Sequence, residues 1–551
     1  MAEPSVFDFI VVGAGTAGCV VASRLAKSAK KPRVLLLEAG GSNTGFKHRA
    51  AGERMTYWMT AEENSRYKTA PEPALNNREL VYDRGHGLGG TSVINISAWD
   101  YGRREEYDEW AAIVDDDVWS WDNVVARMKM IENFHDHTPD ELREYVPDRR
   151  PNHGSGGPLD VSYPATWAPG VKITLDTAKR HGFRFADLYS GDLGVGVPAA
   201  TTYNGLRVTA STAYLANPPP NLHIVTNSLV ARVMFQGRTA TGVQLADGSQ
   251  YLANHEVILC AGTIDTPKLL LLSGVGPEDE LAKHSITPTA IFPGIGHNLG
   301  DHCMSRIQVY LKAGTVPSVS SQDMKAWKAQ WDVDQTGPLL DESALVAVGY
   351  FQVDNIQSFP EFQDLDEQTK EYLTRPQTAH FELSLAILPI PDAPKPAVRT
   401  GVILMNALSR GKVSLRSSDA AEPPNLELGY LQHPYDRRVL IEAVKVARRF
   451  IYESDLPLEE QLLGPASGEE DDILAFLRQS ISPTWHACGT IKMGKSSDKN
   501  TCVDPDFRVV GLKNLRVADL SVCPVIPSNH TQSTAYLVGE VAAEKILHQY
   551  N

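Results

Sequence analysis

A chain of 551 residues suffices for one large two-lobed enzyme, and its 42% hydrophobic and 22% charged content excludes disorder as the default state. A formal net charge of −15 argues against nucleic acid or an anionic membrane as partner, because both select basic surfaces. Six cysteines without a CxxC or Cys/His ladder exclude a disulfide framework and a structural zinc, so no metal is expected.

The first element is an apolar run from Phe7 to Leu25. Asp8 and several glycines interrupt it, and Met1–Ala2–Glu3 supplies no basic leader. No other run approaches the ~20 apolar residues that a membrane span needs, so a cytoplasmic protein is expected. Within the run, Ile10–Val11–Val12 predicts a buried parallel strand. Gly13 permits a tight turn, Gly15 lets backbone approach a pyrophosphate, and Gly18 lets the following helix pack closely. Thr16 and Ala17 open that helix, whose free N–H groups and dipole face the phosphates. A second apolar strand ends at Glu38–Ala39, with Glu38 twenty residues beyond Gly18. A carboxylate there accepts hydrogen bonds from a ribose diol. Strand, glycine turn, helix, strand and acid in this order predict a bound dinucleotide, without choosing between FAD and NAD.

Next comes a glycine-rich loop, Arg84 to Asn95, whose Gly89–Gly90 pair suits close approach of a flat ring. Asp136 to Pro158 is charged and proline-bearing and predicts a mobile surface loop. Its Pro147–Pro151 core is read as solvated in preference to an anion site. Val257–Gly262 predicts a buried strand meeting a glycine, with a helix starting at Thr266–Pro267. His380–Leu388, Val402–Leu408 and Lys412–Arg416 have strand character, and Tyr435–Tyr452 is an amphipathic helix. Val316–Trp331 and Asp364–Arg375 are polar enough for loops or exposed helices near a pocket.

Several of these segments together resemble one family. Arg84–Asn95, Ala261–Pro277, Gly296–His302, Trp485–Gly494, Leu515–Ser521 and Pro527–Gln532 resemble the motifs of the glucose–methanol–choline (GMC) oxidoreductases, in order and spacing along nearly the whole chain. The resemblance implies FAD and an α/β fold: a Rossmann-like FAD-binding domain with a discontinuous second α+β domain, an antiparallel sheet backed by helices. It places residues 1–154, 201–309 and 476–551 in the first and 155–200 and 310–475 in the second. It further implies that Arg84, Gly89, Gly90, Thr91, Ser92 and Asn95 border the flavin and that Val230 touches adenine. Asp519 and Leu520 help hold the ribityl or pyrophosphate region, with Thr531 and Gln532 close by. Some members anchor the flavin through a histidine just after the paired glycines. Thr91–Ser92–Val93 offers none, so a dissociable FAD is expected.

Oxidation of an alcohol by a flavin needs a base for the hydroxyl proton and a donor for the developing alkoxide. By resemblance, His486 is the base and His530 the donor. The expected substrate is a small primary or secondary alcohol, aromatic ones included, with O2 or another electron acceptor. The alternative is a flavin-bearing hydroxynitrile lyase or a specialised biosynthetic enzyme of the same family. Asp108–Trp110, Trp119–Asp122 and His380–Leu383 also resemble the fungal formate-oxidase branch. That branch carries arginine near the position of His530, and the departure argues against formate.

Overall fold

The computed structural model describes residues 5–45, 49–146, 152–340, 346–390, 392–393, 395–495, 497–498 and 500–550. The Pro147–Pro151 core lies outside them.

The β-branched Ser5–Val12 strand runs parallel to Val34–Leu37 on one side and to Gln250–Leu259 on the other. Leu222–Val225 extends the sheet beyond Val34–Leu37, again in parallel. On the far edge Gln250–Leu259 is shared. Its first residues pair antiparallel with Thr239–Leu245, and its last pair parallel with Leu515–Val517. Thr239–Leu245 continues to Val230–Gln236. Both faces of the central strands are covered, so Ile10, Val11, Leu35, Leu36, Val257 and Ile258 are all fully buried. Helix Thr16–Ala26 packs against the C-terminal helix Gln532–Tyr550, where Gly539 permits close approach. A Cβ there would meet Ala17 O at 2.9 Å.

The second sheet is antiparallel throughout. Its order is Leu458–Leu463, Cys303–Leu311, Ala397–Leu404, Phe381–Leu388, Ala347–Phe351 and Gly194–Gly196, with Ser482–Pro483 also pairing Cys303–Leu311. Helices Pro434–Tyr452 and Pro169–Arg180 pack on it through alternating apolar residues such as Val439, Ala443, Ala447, Val171 and Leu175. Helices Ser321–Asp334 and Glu367–Leu373 form where polar loops or helices are expected.

Two sequence expectations need correction. The segment from 136 to 158 is not a free loop where it is described. Glu132–Asp136 is a strand paired in parallel with Leu159–Tyr163, and Leu142, Tyr145 and Val146 are buried. His153 Nδ1 donates to Glu132 Oε1 at 2.9 Å, and its ring stacks on Phe134. Charge density there hid a packed segment. The helix expected to start at Pro267 begins instead at Gly262, which adopts φ +87°, and Pro267 lies inside it. Proline leaves the carbonyl four residues earlier without its helical donor. That carbonyl, Thr263 O, accepts from the Thr490 hydroxyl at 2.7 Å. The interruption thus ties the helix to the segment that carries His486.

No helix among the described residues is long and apolar enough to cross a membrane, and no group of three or more His, Cys, Asp or Glu there could hold a metal ion. All six cysteines are free and buried.

Candidate active site

The glycine turn is shaped by what surrounds it. Gly13 has φ +98°, and a Cβ there would lie 2.5 Å from Cys260 O. At Gly18 a Cβ would collide with Gly13 O at 1.9 Å, whereas at Gly15 it would meet nothing within 4 Å. The turn is therefore closed against the sheet and open on its outer side. Glu38 braces it: Oε2 accepts from Ala14 N at 2.8 Å, and Oε1 from Gly40 N at 2.9 Å and Gly87 N at 3.1 Å.

A cavity of about 1330 Å³ runs from this turn to the second sheet. Its walls include Gly13, Gly15, Thr16, Ala17, Glu38, Ala39, Arg84, Gly90, Thr91, Ser92, Asn95, Val230, Asp519, Leu520, Thr531 and Gln532. His486 and His530 line it too. Of the residues singled out from the sequence, Gly18 and Gly89 alone do not line it. Gly18 packs the helix onto the turn, and Gly89 donates its N–H to Ala14 O at 2.8 Å, behind the wall. Asp519 borders the cavity, but its carboxylate accepts from Gly262 N, Thr266 Oγ1 and Ser521 N. Its visible work is to join the Gly262–Leu272 helix to the 519–521 turn. Asn95 and Gln532 hold one another, Nδ2 donating to Oε1 at 2.8 Å.

A short ladder sets the first histidine. Thr484 N donates to His302 O, and Gly300 and Cys488 exchange backbone hydrogen bonds, so residues 300–304 and 482–488 run side by side. Between these ties Trp485 takes the left-handed conformation, φ +62°, a strain of roughly 1–3 kcal/mol for a bulky residue. Neighbouring bonds hold it there: His486 N donates to Asp301 Oδ1 at 2.7 Å, and Ala487 N to Tyr82 Oη at 2.9 Å. His486 and His302 then meet Nδ1 to Nδ1 at 3.0 Å. One of the two nitrogens must carry the proton, so the pair constrains both tautomers. Burial pushes both imidazoles down, His302 to about 3 and His486 well below the usual range; the neighbouring His302 ring and the positive charges of His530 and Arg84 disfavour a proton on His486 further. Both rings are neutral.

The second histidine sits just ahead of helix Gln532–Tyr550. Asn529 anchors the approach by donating to Tyr101 O, Ser533 Oγ and Thr534 Oγ1, and His530 N donates to Asp100 Oδ1 at 3.2 Å. Its ring Nε2 lies 3.3 Å from Oε1 of Glu382, whose side chain is fully buried. Burial alone would push this imidazole down, but the Glu382 carboxylate, through charge and hydrogen bond, and Asp100 outweigh it and raise the value to about 9. His530 is therefore a cation at neutral pH. Around it lie Asp100 and Arg103, an ion pair at 3.2 Å with both side chains fully buried, and Tyr350, whose hydroxyl donates to Asp100 Oδ2 at 3.0 Å. The His486 and His530 rings face one another edge to face, centroids 5.3 Å apart.

His302 and Glu382 are site residues that the sequence motifs did not single out. Both fall inside quoted segments, Gly296–His302 and His380–Leu383, but their ring contacts span 184 and 148 residues.

Comparison with known proteins agrees with this geometry. Residues 7–304 and 407–539 match the profiles of the N- and C-terminal parts of the GMC oxidoreductases. The chain is 31% identical to an oxygen-dependent choline dehydrogenase of Rhizobium rhizogenes, covering 98% of this chain and 95% of that protein. It is 31% identical to a pyranose dehydrogenase of Agaricus campestris, covering 99% and 94%. The crystal structure of a formate oxidase superposes over 100% of this chain and 99% of that one, with a TM-score of 0.86 at 26% identity. A fungal aryl-alcohol oxidase shares the fold, with a TM-score of 0.85 over the full length of both chains at 23% identity. The chain belongs to the GMC oxidoreductase family, FAD enzymes acting on CH–OH donors. Its first sheet is the family's FAD-binding sheet and its second the antiparallel sheet of the substrate domain. FAD is the cofactor typical of the family, and the open outer side of Gly15 and the continuous cavity beyond it fit that group.

Proposed function

We propose that this enzyme oxidises a small primary or secondary alcohol to its carbonyl, with neutral His486 as base and cationic His530 as the donor to the alkoxide. The observation that carries this reading is two rings facing one another in one cavity, one held against a second imidazole and the other against a buried carboxylate, partners that push the two rings' protonation in opposite directions. An acid–base pair pushed apart in this way divides the two roles. Gly13, Gly15 and the Gly90–Ser92 turn would hold FAD, which would supply the hydride acceptor.

The remaining work falls to the chain. His486 spends Nδ1 on His302, so its other nitrogen, Nε2, takes the hydroxyl proton. The tautomer competent for this carries its hydrogen on Nδ1 and donates it to His302 Nδ1. Protonation at Nε2 leaves that bond in place, so His302 orients the base throughout. His530 holds Nε2 toward Glu382 and offers Nδ1–H to the substrate oxygen as negative charge develops there. Trp58 and Trp485, centroids 4.9 Å apart on the cavity wall, exclude water from one side. The choline and pyranose dehydrogenases among its relatives support a CH–OH donor, with O2 or another acceptor completing the cycle. Thr91, Ser92 and Val93 carry no histidine for a flavin bond, which supports non-covalent FAD.

Anaerobic mixing of the holoenzyme with benzylic, furanic and aliphatic alcohols tests the reading. Bleaching of the flavin band by at least one alcohol, with the matching aldehyde or ketone formed, is expected. Cyanide release from a hydroxynitrile with no bleaching by any alcohol would replace it with the lyase. Acid precipitation should leave all the flavin in solution.

A further inference from the structure

The second sheet turns one face to the cavity, and its register lays that face out in rows. Glu382 lies opposite Ile403, which lies opposite Met304. In the next row stand Ser384, Gly401 and Arg306, and in the third Ala386 and Arg399. Same-face residues recur at every second position, so each row is about 7 Å from the one before. Arg306 is thus one row, and Arg399 two rows, beyond the row of the carboxylate that holds His530.

Both arginines line the cavity and are partly buried. Neither side chain has a hydrogen bond or ion pair to the described residues. Several guanidiniums elsewhere in the molecule are matched by carboxylates, Arg103 by Asp100, Arg516 by Glu256, and Arg438 by Glu361, Glu442 and Glu470, while buried Arg207 donates to Ser92 O, Asn95 and Ser97 Oγ. Burial pushes Arg306 and Arg399 down from the usual arginine range, and Arg399 lowers Arg306 further. Two neighbouring cations without a counter-ion among the described residues, on the cavity wall, cost stability that an incoming anion restores. Gly401 stands directly beside Arg306, where a Cβ would crowd Ser384 Cβ at 3.1 Å and the Met304 sulfur at 3.5 Å.

We propose that Arg306 and Arg399 form an oxyanion subsite, so that the alcohol oxidised carries a carboxylate or phosphate at the end remote from its hydroxyl. Planar guanidiniums match either group by paired N–H donors. The spacing sets a ruler: the anion sits about 7–13 Å up the sheet from the row of Glu382, less the reach of the side chains. The assignment rests on the proposed alcohol oxidation only for what lies at the other end of the substrate. The overall net charge of −15 makes the local reversal of sign more distinctive.

The test separates binding from turnover. The holoenzyme is titrated with benzoate, phenyl phosphate and benzamide, none of them an alcohol, and dissociation constants are read by calorimetry. At least one anion should bind about tenfold or more tightly than benzamide, and the better of the two identifies the oxyanion. Arg306→Gln and Arg399→Gln, checked for unchanged flavin content and melting temperature, should each erase most of that preference, and Arg306→Lys should keep part of it. In turnover, 4-(hydroxymethyl)benzoate should exceed 4-(hydroxymethyl)benzamide in kcat/KM by a similar factor, chiefly through KM. Equal affinity for the three ligands, or a preference unchanged in both Gln variants, overturns the subsite. An anion preference in a protein whose flavin no alcohol reduces would uphold the subsite and overturn the alcohol reading instead.

Discussion

His486 and His530 stand 5.3 Å apart between ring centres, each close to a buried carboxylate, and yet they hold opposite charge states. The difference lies in which part of the residue the acid touches. Asp301 accepts from the His486 backbone N–H, so its charge serves the turn and the ring is left to a second neutral imidazole. Burial, set against the Tyr430 hydroxyl and the other donors, still pushes Asp301 up to about 6. Glu382 accepts from the His530 ring itself. A carboxylate therefore acts on a histidine's protonation most strongly when it reaches the ring, as Glu382 does, while Asp100, bonded to the His530 backbone, adds a smaller push through space.

Each half of this contrast can be tested by removing one group. The largest effect is expected from His486→Ala with FAD retained: flavin reduction should slow by roughly two to four orders of magnitude. Unchanged reduction in stopped flow would remove His486 from the base role. Next comes Glu382→Gln. His530 is raised above its ordinary value near 6.5 to about 9, so its cation, and the stability of its pairing, is complete below pH 6.5 and is lost as pH rises through 9. Without the carboxylate the alkaline limb of kcat/KM should move toward neutral pH, with a loss of about tenfold at pH 8. An unmoved limb would show that Glu382 does not hold the charge. His302→Leu should lower kcat by about tenfold and leave KM nearly unchanged, since it frees the base to adopt the wrong tautomer. A change confined to KM would place His302 in substrate binding. Smallest is Asp301→Asn, which keeps an oxygen to accept from His486 N. Rates should stay within about threefold of the parent, as fits a bond to backbone and not to ring.

The sequence carried the local parts of this site and not the distant ones. Gly13, Gly15, Gly18 and Glu38 were legible because strand, turn and helix follow one another, and each spacing has a steric reason. The family motifs pointed to His486 and His530, and both reach one cavity. Glu382 and His302 were not legible as partners, because nothing local in a strand residue shows which ring a distant turn will bring against it. Pro267 misled for another reason. Proline usually marks a first turn, but here the Thr490 hydroxyl takes up the carbonyl it leaves free. The segment from 136 to 158 misled through composition, its charges outweighing Leu142, Tyr145 and Val146, which are buried. Antiparallel and parallel sheets were foreseen as classes, but the rows that set Arg306 and Arg399 above Glu382 exist only once register is known.

The shared strand Gln250–Leu259 has a consequence for synthesis. Ser5–Val12 is translated well before its pairing partner on that side, which arrives more than two hundred residues later. That partner's own edge is completed only by Leu515–Val517, and the helix that packs on Thr16–Ala26 comes after that. The glycine turn therefore leaves the ribosome long before the surfaces that close it. Nascent chains should need shielding of Ile10–Val12 during elongation, and flavin should load only after residue 517 is free of the exit tunnel.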